Sequence, residues 1–165
     1  MERINHNIEP LYDRNSRILI LGSFPSVKSR EMQFFYGHPQ NRFWRVIAAL
    51  TDYPVPHTIE DKKKMLHENH IALWDTIASC EIEGSSDSSI KGVVPNNLNI
   101  ILETALVRAV YCNGTKSYEL YHKYCEKQTG MLAVKLPSTS PANAACSLDR
   151  LIKEWSVIMD RLRAV

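Results

Sequence analysis

Four short runs constrain this chain more than anything else in it: "RILILG" (17–22), "IALWD" (71–75), "VRAVYCN" (107–113) and "MLAVKLP" (131–137). Each is apolar without polar alternation, the pattern of a strand buried on both faces. Helical periods lie between and after them. Residues 41–51 set Phe43, Trp44, Ile47 and Leu50 on one side, 60–67 read as a charged surface helix, and 97–105 carry Leu98, Ile101 and Leu102. Residues 115–128, with Thr115 as the expected N-cap, space Tyr118, Tyr121, His122 and Cys125 helically. The last helix is capped by Ser147 and repeats Leu148, Leu151, Ile152, Trp155, Ile158, Met159 and Leu162 at three- and four-residue steps. Strand and helix in alternation predict an α/β fold: a central four-stranded, mainly parallel sheet with helices on both faces, three layers in all.

The 165 residues, 44% hydrophobic and 23% charged, suit one folded domain over 1–165. A net charge of +2 gives no broad basic face, so any phosphate-binding surface has to be local. Cys80, Cys112, Cys125 and Cys146 form no C-x-x-C pair, and no H-E-x-x-H occurs; free thiols and no metal site are expected. Neither a dinucleotide fingerprint nor a P-loop is present, so no cofactor is expected. "MERINHNIEP" has no apolar run and no stretch of 18 apolar residues occurs. The expectation is a cytoplasmic monomer without a signal peptide or membrane partner.

In sheets of this kind ligands collect beyond the carboxyl ends of the strands. Here those positions hold "SFPSVKSREMQFFYGHPQN", "TIASCEIEGSSDSSI", "GTKS" and "STSPANAACS". Three of the four are rich in turn-forming residues that offer hydroxyls or backbone N–H groups to anions. The first ends in "FFYGHPQNRFW", five aromatics in eleven residues with His38, Asn41 and Arg42 among them. Flat rings beside hydrogen-bonding groups suit a flat, polar-edged ligand such as a nucleobase. Plainer readings exist: Asn41 as an N-cap, Phe43 and Trp44 as core anchors, His38 as a loop hydrogen-bonder, Asn113 as part of a strand-end turn. "LPSTSPAN" is either an ordinary strand-to-helix connection or a rigid hydroxyl loop that grips phosphates.

"GSFPS" followed by "FYGHPQNRFW" resembles the first motif of the uracil-DNA glycosylase superfamily. The mismatch-specific uracil- and thymine-DNA branch has a G-I-N-P-G turn before F-A-H-P-x-N-R-F-W. "LPSTSPAN" falls where the superfamily carries its second motif, the loop that enters DNA near the damaged nucleotide, and "NGTKS" and "GSSDSSI" also fit. One departure stands out: the branch's water-positioning asparagine falls at Phe24. G-S-F-P-S with Y-G-H-P-x-N and P-S-T-S-P-A-N is similar to the hypoxanthine-DNA (deoxyinosine) glycosylase family. In that family the asparagine of H-P-x-N, here Asn41, is held to be catalytically important.

The resemblance implies a monofunctional glycosylase that hydrolyses the bond between deoxyribose and a deaminated base in DNA: hypoxanthine, with uracil as a further substrate. Asn41 would be catalytic, its amide oxygen fixing a water, with Ser23 as a donor to the departing base. Tyr36 would stack on the extruded base, with Phe24, His38 and Asn113 around it. Lys116, Ser138, Thr139, Ser140 and Asn143 would hold DNA. The competing readings are a mismatch-specific uracil-DNA glycosylase and a lesion-binding module weak in catalysis.

Overall fold

A computed structural model describes residues 2–163. Met1, Ala164 and Val165, part of the expected domain 1–165, lie outside the described residues. The chain runs β1 (Arg3–Asn5), β2 (Ile18–Gly22), α1 (Val27–Met32), α2 (Phe43–Thr51), α3 (Ile59–Glu68), β3 (Ile71–Asp75) and β4 (Ile77–Glu81). A 3-10 turn at Asp87–Ser89 leads into β5 (Lys91–Pro95), α4 (Asn99–Leu102), β6 (Ala109–Asn113) and α5 (Thr115–Tyr124). Then come α6 (Glu126–Thr129), β7 (Ala133–Leu136), α7 (Leu148–Trp155) and α8 (Ile158–Arg163).

The four apolar runs form one sheet in the order β3-β2-β6-β7, every neighbouring pair parallel. All residues of β2 and β3 are buried, as their unbroken apolar sequences require. Register brings the carboxyl ends together: Gly22 pairs with Asp75, Leu21 with Cys112 and Asn113 with Leu136. From β2 the chain first adds β3 on one side, then crosses to place β6 on the other. The crevice therefore opens past Gly22 and Asn113, at the reversal of strand order. Phe43 and Trp44 are core residues; Phe43 meets Trp155 edge-on at 6.0 Å, joining α2 to α7.

A second sheet, β1-β4-β5, is antiparallel, and the sequence patterns give no sign of it. Residues 76–90 read as a loop because "IASCE" is short and carries polar residues among its apolar ones. What makes it a strand is tertiary. Arg3 donates to the Ser79 hydroxyl (3.1 Å) and the Gly92 carbonyl (2.8 Å), tying β1 across β4 and β5. The Thr76 and Ile77 N–H groups bond the Gly22 and Ser23 carbonyls at 2.8 and 3.1 Å, so the chain leaving β3 pins the turn after β2. Phe24 packs in this second sheet's own core with Ile77, Cys80, Ile82, Ile90 and Leu120.

Helix ends differ from the periodic reading. Helix 41–51 begins at Phe43, helix 97–105 shortens to α4, and 115–128 divides into α5 and α6. The last helix breaks after Trp155, although its expected cap holds, Ser147 accepting from the Arg150 N–H at 3.2 Å. Thr115 is not the cap of α5; Gly114 occupies that place with φ +97°. There the chain must turn while its N–H reaches the Leu136 carbonyl at 2.9 Å, and a Cβ at 114 would sit 3.2 Å from that of Ser138. Gly114→Ala is expected to lower stability by about 1–3 kcal/mol, read as an earlier urea midpoint with an unchanged slope.

Candidate active site

A cavity opens at the predicted place. Asn41, Ser23, Phe24, Tyr36, Asn113, Ser138, Thr139 and Ser140 all line it, drawn from four separate segments. His38, Lys116 and Asn143 do not. His38 shapes the turn instead, its carbonyl and Nδ1 accepting from the N–H groups of Asn41 (2.9 Å) and Gln40 (3.0 Å). Asn143 braces the second loop through its amide and the Ser138 carbonyl (3.0 Å).

Thr139 is the hub. Its hydroxyl donates to Asn41 Oδ1 (2.9 Å) and accepts from Asn113 Nδ2 (3.0 Å), while its N–H donates to Asn113 Oδ1 (3.0 Å). The residue is wholly buried, so its side chain is spent inside the protein rather than on DNA. Arg42 clamps the same loop. Its backbone N–H reaches the Thr139 carbonyl (3.1 Å), and its guanidinium bonds the carbonyls of Ser140 (2.8 Å), Asn143 (3.0 Å) and Cys146.

This network changes what Asn41 can do. Its oxygen also accepts the Phe43 N–H at 2.9 Å, so two donors already fill the oxygen expected to hold a water. Because both partners are donors, the atom assignment is fixed. The amide NH2 has no protein partner among the described residues and is the group Asn41 offers to the cavity. Ser23 is likewise committed: its hydroxyl donates to Asp87 Oδ1 at 2.9 Å and is not a spare donor.

Tyr36 holds a left-handed backbone conformation, φ +49°, a strain of about 1–3 kcal/mol in a non-glycine residue. It is locked there by Trp44 Nε1–H on its carbonyl (3.2 Å) and by the Gly37 N–H on Ser29 Oγ (2.9 Å). Phe43 covers one face of its ring, centroids 4.3 Å apart. The hydroxyl is buried; the Asn113 side chain lies near enough to oppose the rise in its pKa, but both ends of that amide are bonded to Thr139 and no hydrogen bond to the hydroxyl meets normal geometry among the described residues. Burial first, then the charge of Asp75, pushes its pKa far up, so it stays protonated.

Two carboxylates line the cavity that the sequence reading passed over. Asp75 ends β3, is only 3% exposed, and its Oδ2 has no partner. Burial, aided by the negative charge of Asp87, pushes its pKa up to about 7. His6 stands 4.0 Å away but gives no compensating charge. Its Nε2 bonds the Ile77 carbonyl (2.7 Å) and its Nδ1 accepts from the Ile8 N–H, the pattern of a neutral ring, and burial lowers its pKa. Asp87, in the 3-10 turn at the rim, is raised mainly by desolvation, against the Ser23 hydrogen bond and the charge of Lys116. The signal for Asp75 was available: an acidic residue at the carboxyl end of a buried parallel strand. The loop of Asp87, "GSSDSSI", already lay among the segments beyond the strand ends, but nothing in it singled out the aspartate, whose contact with Ser23 is tertiary.

Asp75 makes stability depend on pH with a definite sign. Its folded pKa lies above the unfolded value of about 3.9, so the penalty is absent below that pH, builds as pH rises to about 7, and is then complete. Asp75→Asn is expected to gain stability relative to the natural chain across this window, by up to about 4 kcal/mol, so its advantage in thermal midpoint is larger at pH 8 than at pH 4.

Comparison with known proteins places the chain in a family. The family model described as the uracil DNA glycosylase superfamily matches residues 9–158. A hypoxanthine DNA glycosylase of Methanosarcina acetivorans is 34% identical over 157 residues, covering 94% of this chain and 98% of that protein. One from Methanosarcina barkeri is 35% identical over 112 residues, 67% of this chain and 71% of its own. The solution NMR structure of an M. acetivorans protein described as a uracil DNA glycosylase superposes with a TM-score of 0.82 at 33% identity, over 97% of this chain and 99% of that one. The chain belongs to the uracil-DNA glycosylase superfamily.

Proposed function

We propose that this chain is a monofunctional DNA glycosylase that hydrolyses the N-glycosidic bond of deaminated bases, hypoxanthine first and uracil as a further substrate. The observation that carries the reading is the convergence of Asn41, Tyr36 and the 138–140 loop on one cavity at the strand ends. Kinship with proteins named for hypoxanthine supports the choice of base. Strand cleavage is not part of the activity, because the first motif has no lysine to form a Schiff base.

Breaking the bond leaves an oxocarbenium-like sugar and an anionic base, so the site needs a placed water on one side and donors on the other. Asn41 serves the leaving base: its NH2 is free, and its oxygen is anchored by Thr139 and the Phe43 N–H, so the amide is oriented before the substrate arrives. Asp87 serves the water. Ser23 holds one of its oxygens, the other has no protein partner among the described residues, and its raised pKa makes it a better base than an ordinary aspartate. Ser138, Ser140 and Lys116 hold the DNA backbone on either side of the flipped nucleotide, with Thr139 and Asn143 shaping the loop from within.

Base release under single-turnover conditions, from duplexes carrying inosine, xanthine or uracil, tests this. Asn41→Ala is expected to slow release by about 100-fold or more and also to lower the thermal midpoint, because the Thr139 hydroxyl and the Phe43 N–H lose their acceptor. Asp87→Asn is expected to slow release by a similar factor with little change in the midpoint. Uracil released as fast as hypoxanthine or faster would make the chain a uracil enzyme. Lesion binding without any free base would make it a binding module.

A further inference from the structure

Two polar groups in the cavity have no task in that chemistry: the Tyr36 hydroxyl and the Asp75 carboxyl. Both are buried, and neither the hydroxyl nor Asp75 Oδ2 has a partner among the described residues. They also face the same spot. A Cβ at Gly22 would lie 2.5 Å from Asp75 Oδ1 and 3.3 Å from the Tyr36 hydroxyl, so glycine is what lets both groups close over the end of β2. Buried polar groups in native proteins are nearly always satisfied, and two exceptions side by side in a binding cavity call for a ligand that completes them.

Their chemistry names the ligand's edge. Tyr36 stays an O–H donor, since burial disfavours its phenolate. Asp75 Oδ1 can accept an N–H whether the carboxyl is ionised or carries its proton on Oδ2. A donor beside an acceptor matches an oxo group beside a ring N–H, which hypoxanthine has at its 6 and 1 positions and uracil at its 4 and 3. Adenine and cytosine present the reverse, an amino group beside a bare ring nitrogen. Deamination is this exchange of donor and acceptor.

We propose that Tyr36 and Asp75 tell hypoxanthine and uracil from their parent bases adenine and cytosine. The Tyr36 hydroxyl donates to the oxo oxygen of the extruded base and Asp75 Oδ1 accepts the adjacent ring N–H, an edge that guanine and thymine share and that this pair therefore does not exclude. An extruded adenine turns its ring-nitrogen lone pair against the Asp75 oxygen and is refused, because a site built on such hydrogen bonds rejects the analogue that leaves them unmade. This rests on the glycosylase reading above, but it concerns which base is accepted rather than how the bond breaks.

The test uses Tyr36→Phe and Asp75→Leu. The first removes a hydroxyl with no protein partner, and the second keeps the number of side-chain heavy atoms while deleting the acceptor. Inosine and uracil release should fall at least about fivefold in each, and up to about 150-fold when both are combined, as for a lost two-point base contact. The preference for inosine over adenine should shrink with them. Affinity for a duplex with an abasic site, which has no base to read, should stay as in the natural chain. If both single variants keep inosine release within about twofold, this discrimination is wrong while the glycosylase stands. Equal weakening on abasic and inosine duplexes would make the two residues structural and would also overturn it. A natural chain that frees no base from any duplex overturns the glycosylase reading instead. Should Asp75→Leu fail to fold, Tyr36→Phe decides the question alone.

Discussion

The side chain of Thr139 holds the site in one piece. Its hydroxyl and N–H link Asn41, from the turn before α2, to Asn113, at the end of β6, and the residue itself sits in the loop after β7. Three segments far apart in sequence are thus joined through one buried residue. Such a network is sensitive to its weakest member, because a half-satisfied set of buried polar groups is worse than none. Arg42 reduces that risk. It fixes the loop by its backbone carbonyls, so the hub does not depend on which side chains the loop shows to solvent. The consequence is chemical: with its oxygen held twice, Asn41 is a donor.

Around this hub the protein keeps groups in states it would not choose for stability. Tyr36 has a left-handed backbone and an unpaired hydroxyl, and Asp75 has an unpaired oxygen in a dry setting. Each is over-determined by neighbours: the stack on Phe43 and the Trp44 hydrogen bond for Tyr36, the register with Gly22 for Asp75. Strain concentrated in this way marks a place where fit to a ligand outweighs fit to the fold.

Much of the frame was legible in the sequence, for a physical reason. A strand buried on both faces has to be apolar throughout, so β2 and β3 announced themselves, and the rule for parallel sheets placed the cavity. The parts that were missed depend on partners elsewhere in the chain. β4 is a strand because Arg3 and the β2 turn hold it. Asn41 looked like a cap and is half of one, its oxygen accepting the Phe43 N–H, but only the distant Thr139 reveals which end of the amide faces the cavity. Ser23 looked like a free donor, but its hydroxyl already donates a hydrogen bond to Asp87, 64 residues on. Hydrogen-bond direction is a tertiary property, and periodicity carries no trace of it.

The two carboxylates raise a final problem, since a site for a polyanion that expels an anionic base should not hold two full negative charges. The local cations do not cancel them: Arg42 is spent on loop carbonyls, and Lys116 eases only Asp87. Burial does the work instead, leaving the Asp75 carboxyl only partly ionised near neutral pH without a counter-ion. A cationic partner for Asp75 would have relieved the fold, but it would also have filled the acceptor and closed the floor of the cavity. An unpaired acid on a bare glycine keeps both the charge low and the acceptor open, and the cost falls on stability at high pH rather than on recognition.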